Sequence, residues 1–249
     1  MTTPIQSNSN LGIQKLRGVI TNYKCTRIST NFVFTKTDRN ALGVVAIAAG
    51  IAGLSGMAVT TATSASAEED ADYLEFELNG TRVKGFVWRS PFNEGDTVDV
   101  IAEWHEDCFE LFAVARPEDR IVALYPHCSR GRKSHWKNAI KWWFLGVAAL
   151  LTFGGFLLGI GILIVSQSWS ETAGVLKDGM PFMPLIFYPF FLLMTISLAW
   201  KWMSFVRLAE KIFVAFDWKQ PSDIDLKKRS KATRTDADPK GYGTFFFRY

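Results

Sequence analysis

All three histidines of the chain and two of its three cysteines fall in one stretch, as His105-x-x-Cys108, His127-Cys128 and His135. Imidazole and thiolate are the ligands zinc prefers, and two spaced pairs can in principle close a tetrahedral site. The spacing argues against that use. His127 and Cys128 are adjacent, a poor geometry for two ligands on one ion, and no finger-type spacing accompanies them. Packing in an interior or interface is the alternative for these side chains. No Gly-rich phosphate loop, nucleophile elbow or recognisable pair of catalytic carboxylates occurs elsewhere. The expectation is a protein that is not an enzyme, with no metal and no cofactor. A catalytic group at His105 or Cys108 is the enzyme reading left open.

The same stretch, "YPHCSRGRKSHWKNAIKWWFLGVAAL", carries five cations and no acid before turning wholly apolar. Arg130, Arg132, Lys133, Lys137 and Lys141 then read as a basic juxtamembrane collar (residues 129–141), worth about 1 kcal/mol per cation near an anionic surface. A base-reading role is weaker, because nothing there resembles a recognition helix. No nucleic-acid partner is expected.

The elements that position this collar follow from where charge is missing. The formal net charge is only +4, but no charged residue occurs between Arg39 and Glu68, Lys141 and Glu171, or Asp178 and Lys201. Residues 142–165 form a run of 24 uncharged residues, which as a helix outruns the ~30 Å hydrocarbon core. Trp142 and Trp143 stand at one end at headgroup level. Residues 180–200 make a second span in spite of Pro181, Pro184 and Pro189, since membrane helices re-satisfy backbone groups freed by proline. It leaves the bilayer at Trp200 or Trp202. A short linker makes residues 142–203 a two-helix transmembrane hairpin. Gly155-x-x-x-Gly159 offers a close-packing face for oligomerisation.

Outside the spans the pattern is β. Residues 1–13 are a polar leader. "RGVITNYKC" and "NFVFTK" read as two strands. "YLEFELNG" alternates strictly, with Leu74, Phe76 and Leu78 on one face and Asn79-Gly80 as a hairpin turn. "TRVKGFVW", "TVDVIAEW" and two short strands around Pro117 follow, and Gly85 and Gly95 suit bulges or corners. About seven short strands at this spacing predict a small antiparallel barrel or sandwich, OB- or SH3-like, over residues 14–128. The acidic strand residues Glu75, Glu77, Asp99 and Glu103 are not the usual face of a nucleic-acid barrel.

An Ala/Gly-rich segment, residues 41–67, is inserted in this β-domain. Small residues four apart around Gly50 and Gly53 let helix backbones approach. Two short helices folding back, membrane-associated or packed, compete with a flexible loop. After the hairpin, residues 204–218 read as an amphipathic helix, either interfacial or packed on the barrel. Residues 219–249 read as a polar mobile tail. The fold class expected is thus an α+β membrane protein: a small β-barrel or sandwich, an inserted helical segment, then a transmembrane hairpin.

Lysine and arginine concentrate before the first span and after the second, while the linker has only Lys177. By the positive-inside rule both flanks are cytoplasmic. The unpaired cysteine count and the absence of an apolar core behind the N-terminus fit a reducing compartment and no secretory signal. The expected location is a bacterial inner membrane, multi-pass, with both termini in the cytoplasm. The lipid bilayer is the expected partner, with a protein partner or a second copy of the chain beside it.

The runs "NFVFTKTDRNALG", "VKGFVWRSPFNEGDTVDVIAEW" and "FAVARPEDRIVALYPHCSRGRKSHWKNAIKWW", with the Ala-Gly block between the first two, resemble a family of bacterial membrane proteins catalogued as type VI secretion system effectors. The resemblance covers residues 16–143, is most specific in "SPFNEGD" and "LYPHCSRGRK", and extends to the spans only in character. It implies a part in interbacterial competition and carries over no active site. Together with the apolar hairpin and the small-residue faces, it leads to the expectation of an effector acting by membrane insertion rather than catalysis. A resident immunity or scaffold protein with a partner-binding β-domain is the alternative.

Overall fold

The computed structural model describes residues 12–30, 69–105, 107–166, 183–236 and 238–249, together with residues 170, 174 and 177. The Ala-Gly segment, Gly50, Gly53 and "NFVFTK" lie outside the described residues. The chain divides into two units: Met1–Arg132 with Ser204–Tyr249, and Lys133–Met203.

The first unit is α+β and contains a closed five-stranded barrel. Its strands are β1 (Gln14–Thr30), β2 (Glu69–Leu78), β3 (Thr81–Val87), β4 (Thr97–His105) and β5 (Cys108–Arg116). β1 is long enough to serve two neighbours. Its first part pairs with β4, from Gln14 opposite Ala102 to Val19 opposite Thr97. Its second part pairs with β2, from Ile20 opposite Leu78 to Thr30 opposite Glu69. A register shift between Thr21 and Lys24, beside Asn22 at φ 53°, supplies the bend there. β2 and β3 form the hairpin expected at Asn79-Gly80, whose φ values of 53° and 79° are those of the tight turn that matches strand twist. The ring closes where β3 meets β5 in parallel, Val83 opposite Phe109 and Lys84 opposite Glu110. At that seam a Cβ on Gly85 would stand 2.7 Å from the Leu111 carbonyl oxygen and 2.8 Å from its Cβ. Only glycine lets the two backbones come so close.

Alternation along the strands builds two cores. Ile20, Leu74, Phe76, Val83, Val100 and Leu111 fill the barrel. Ile101, Phe112, Ala113 and Val122 face outward into a second core. Phe112 and Ala113 share that face because β5 bulges there, with Ala113 opposite Ile101 and Leu111 opposite Ala102. The sheet then continues through β6 (Ile121–Leu124) and β7 (Phe246–Arg248).

Helix α3 (Met203–Ala215) covers the second core with Phe205, Leu208, Ala209, Ile212 and Phe213. Of the two placements open to this amphipathic helix, packing on the sheet is the one found. Residues 219–249, expected as a mobile tail, hold a 3-10 turn (Pro221–Asp223), helix α4 (Leu226–Ala232) and β7. The polar count was misleading because a few apolar residues suffice: adjacent Phe246 and Phe247 point to opposite faces and enter the barrel core and the outer core respectively. The "RGVITNYKC" strand is the middle of β1, and among the described residues the seventh strand comes from the C-terminal segment. The β-unit is therefore completed by residues after the hairpin rather than ending at 128.

The second unit contains α1 (Arg132–Ser166) and α2 (Met183–Lys201), the latter running through Pro189. The two lie antiparallel: the His135 ring reaches the Ala199 carbonyl at 3.2 Å, and Trp143 meets Tyr188 edge-on at 5.5 Å. Among the described residues one helix, Arg132–Ile164, is by itself long and apolar enough to cross a bilayer.

Candidate membrane interface and charged pocket

The collar cations divide by what holds them. Arg130 donates through Nε to Asp225 at 3.0 Å, and the bridge pairing Arg130 with Asp225 ties α4 to the strand side of the unit. Neighbouring Gly131 is required there, since a Cβ would collide with the Pro221 carbonyl oxygen. Arg132 donates from its backbone N–H and from Nε to the two oxygens of Glu210, at 2.8 and 2.6 Å. Arg130 is thus paired within the protein and only partly exposed, and Arg132 is held at one edge of its guanidinium. Lys133, Lys137 and Lys141 are exposed on the first turns of α1, followed by exposed Trp142 and half-buried Trp143. At the end of α2, Trp200 is exposed and its ring meets Trp136 at 6.4 Å. Trp202 is exposed just beyond. Gly155 is buried and Gly159 half-buried on α1, while the large residues beside them, Phe153, Phe156 and Leu157, are exposed.

The histidines and cysteines do not gather. Cys108, at the β4–β5 turn, is buried and donates to the His105 carbonyl at 3.8 Å. Cys128 is buried and donates to the Phe205 carbonyl. Burial raises both thiols above their ordinary range, the opposite of an activated nucleophile. His127, with a left-handed backbone at φ 66°, turns away from Cys128. Its ring lies against Trp88 and Phe205, each at 5.0 Å, and its Nε2 is 2.9 Å from Glu69. Burial lowers its pKa, the Glu69 charge opposes that, and Lys227 adds to the lowering. Lys227 sits over the Trp88 ring at 4.9 Å. His135 belongs to α1. Among the described residues no three His, Cys, Asp or Glu side chains converge as metal ligands.

Sequence reasoning passed over the pocket that forms beside α3. Bound by Ile13, β4 and the outer face of α3, it has a volume of about 670 Å³. Arg207, Lys211 and Val214 reach it at intervals of four and three residues, one stripe of the helix opposite its buried face. Arg132 and Glu210 form one rim, and Glu103 of β4 contributes a carboxylate. Burial raises the pKa of Glu103, and Lys211 opposes the shift. Its Oε2 is buried and accepts no hydrogen bond among the described residues. Across the ladder Glu103 faces Glu110, whose pKa is pushed up to about 7 by burial first and then by the Glu103 charge, with Lys84 opposing. The signal available in the sequence was the polar stripe of α3, which reads as a solvated face until β4 is known to lie beside it.

The fold and these features define an α+β protein with a closed five-stranded barrel and an apolar helix. No family model, curated protein or solved structure matches the chain.

Proposed function

We propose that the protein is a multi-pass protein of a bacterial inner membrane, in which α1 and α2 form a transmembrane hairpin and the barrel unit is a cytoplasmic binding module. One observation carries this reading. Within the Arg132–Ile164 helix an 18-residue window has a mean hydropathy of 2.4, yet only 12% of that window is buried. A core helix of a water-soluble protein is mostly covered, whereas Phe153, Phe156 and Ile164 are 65%, 63% and 69% exposed. Leaving such side chains in water forfeits about 1.5–3 kcal/mol each, and a bilayer removes that cost. On α2, Phe190 and Leu193 are exposed in the same way. The tryptophans at 142, 200 and 202 suit the headgroup level, and the lysines at 133, 137 and 141 suit the cytoplasmic side.

The ring order β1-β2-β3-β5-β4 with a parallel β3–β5 seam is the order of the OB-fold, a scaffold for binding surfaces. Fold alone does not name the ligand. Association with type VI secretion rests on the resemblance in "SPFNEGD" and "LYPHCSRGRK". Under it the protein is either an effector acting by insertion or a resident immunity or scaffold protein. The resident reading is favoured by a barrel unit with two filled cores and a charged pocket, which membrane damage does not need.

The test is expression of the full chain in a bacterial host followed by alkaline carbonate washing of the membranes. Retention in the pellet and release only by detergent are expected. Recovery as a soluble monomer defeats the membrane reading. A potential-sensitive dye in the same cells separates the roles: steady potential and normal growth support the resident module, and depolarisation supports the inserted effector.

A further inference from the structure

We propose that the pocket between β4 and α3 binds a phosphate ester carrying a primary ammonium group two carbons away, the headgroup of an ethanolamine phospholipid. The inference rests on the membrane reading for its source of ligand, and on the pocket itself for its chemistry. Arg207 and Lys211 stand one turn apart on the exposed face of α3, both lining the pocket. Arg132 joins them with its guanidinium already oriented, since Nε is engaged by Glu210 at 2.6 Å. A guanidinium fixed through Nε still has terminal N–H groups that suit a phosphate. Three cations against the two carboxylates of Glu103 and Glu210 leave the cavity net positive, which suits an anion.

Glu103 makes the site more selective than a basic patch. Its Oε2 is buried and accepts no hydrogen bond among the described residues, and a second carboxyl, Glu110, lies directly across the ladder. A carboxylate in the pocket lining favours a ligand that brings N–H donors and positive charge. A phosphate with an ammonium close by meets both demands, whereas a purely anionic ligand meets one and is repelled by the other. Ile13 and Val214 supply apolar wall for the glycerol and the first methylenes. The volume of about 670 Å³ is within the usual range for one small ligand. Phosphocholine has no N–H to give Glu103, and phosphoglycerol has no positive charge.

The full-length chain in detergent micelles is offered phosphatidylethanolamine, phosphatidylglycerol and phosphatidylcholine in equal amounts, and bound lipid is counted by native mass spectrometry. A parallel arm titrates soluble glycerophosphoethanolamine. Retention of the ethanolamine lipid by about tenfold over the other two is expected. Glu103→Gln should erase the preference over choline while keeping phosphate-dependent binding. Arg207→Gln with Lys211→Gln should lower retention of all three lipids about tenfold; both positions are exposed, and a thermal melt confirms folding. Equal retention of the three lipids by the unaltered chain, or an unchanged preference in Glu103→Gln, overturns the proposal. Soluble headgroup bound as tightly as lipid overturns the lipid source and reassigns the site to a free ethanolamine phosphodiester. If the chain proves soluble without detergent, the membrane reading falls, while the soluble arm still tests the pocket.

Discussion

Glu110 is a carboxyl placed where ionisation is unwelcome. It lies opposite Glu103 in one ladder and beside Lys84 in the other. Its pKa in the folded chain is about 7 against an ordinary 4.5. Between those values the folded protein holds a proton that the unfolded chain has released, so stability falls as pH rises through this window. Replacing the group with a neutral isostere removes that loss. Glu110→Gln should be more stable than the parent at pH 8 by on the order of 2–3 kcal/mol and nearly equal to it at pH 4. Urea titrations at the two pH values check this, and a gain of the same size at both would show that ionisation is not the cause. His127 sits in the opposite situation. Burial between Trp88 and Phe205 disfavours its charge while Glu69 favours it, and the ring ties β2 to the loop that follows β6.

At the scale of elements, the barrel depends on a seam and on a strand supplied from far along the chain. Gly85→Val should cost about 3 kcal/mol or prevent closure outright, because the new side chain meets Leu111 backbone rather than a movable side chain. Guanidinium unfolding followed by far-UV circular dichroism measures it. Phe247→Ala should cost about 3–5 kcal/mol by opening the outer core under α3, with early loss of protection in β6 by hydrogen exchange. A near-neutral result would mean that β7 is dispensable to the sheet.

The strands that alternate strictly, such as "YLEFELNG", were legible because period and burial coincide there, and so was the Asn79-Gly80 turn. β7 was not legible: three residues carry no period, and Phe246 and Phe247 become informative only when β6 offers them an edge. The pocket was hidden for a similar reason. Arg207, Lys211 and Glu103 are ordinary polar residues of their own elements, and only the packing of α3 over β4 brings them to one cavity. The collar was legible as charge, but the sequence could not show that Asp225 and Glu210 hold Arg130 and Arg132.

For the whole molecule, connectivity decides more than the charges do. The β-unit contains both Met1–Arg132 and Ser204–Tyr249, with Lys133–Met203 as a separate unit between them. Cys128 donates to the Phe205 carbonyl at 3.5 Å and Arg132 to Glu210 at 2.6 Å, so the two segments are joined next to the points where the helices leave and return. A body folded from both flanks stays on one side of a bilayer, and whatever crosses between them must cross an even number of times. Two consequences can be measured. A cysteine at Lys177, in an otherwise cysteine-free chain, should react with an impermeant maleimide added outside spheroplasts, while one at Lys228 should react only after lysis. Replacing residues 133–203 with a short Gly-Ser linker, which at about 5–6 Å × √n easily joins neighbouring ends, should yield a water-soluble monomer with the β-rich spectrum of the barrel. A linked variant that stays insoluble would place the apolar liability in the β-unit itself, and labelling at Lys177 only from the cytoplasmic side would exclude a hairpin that crosses.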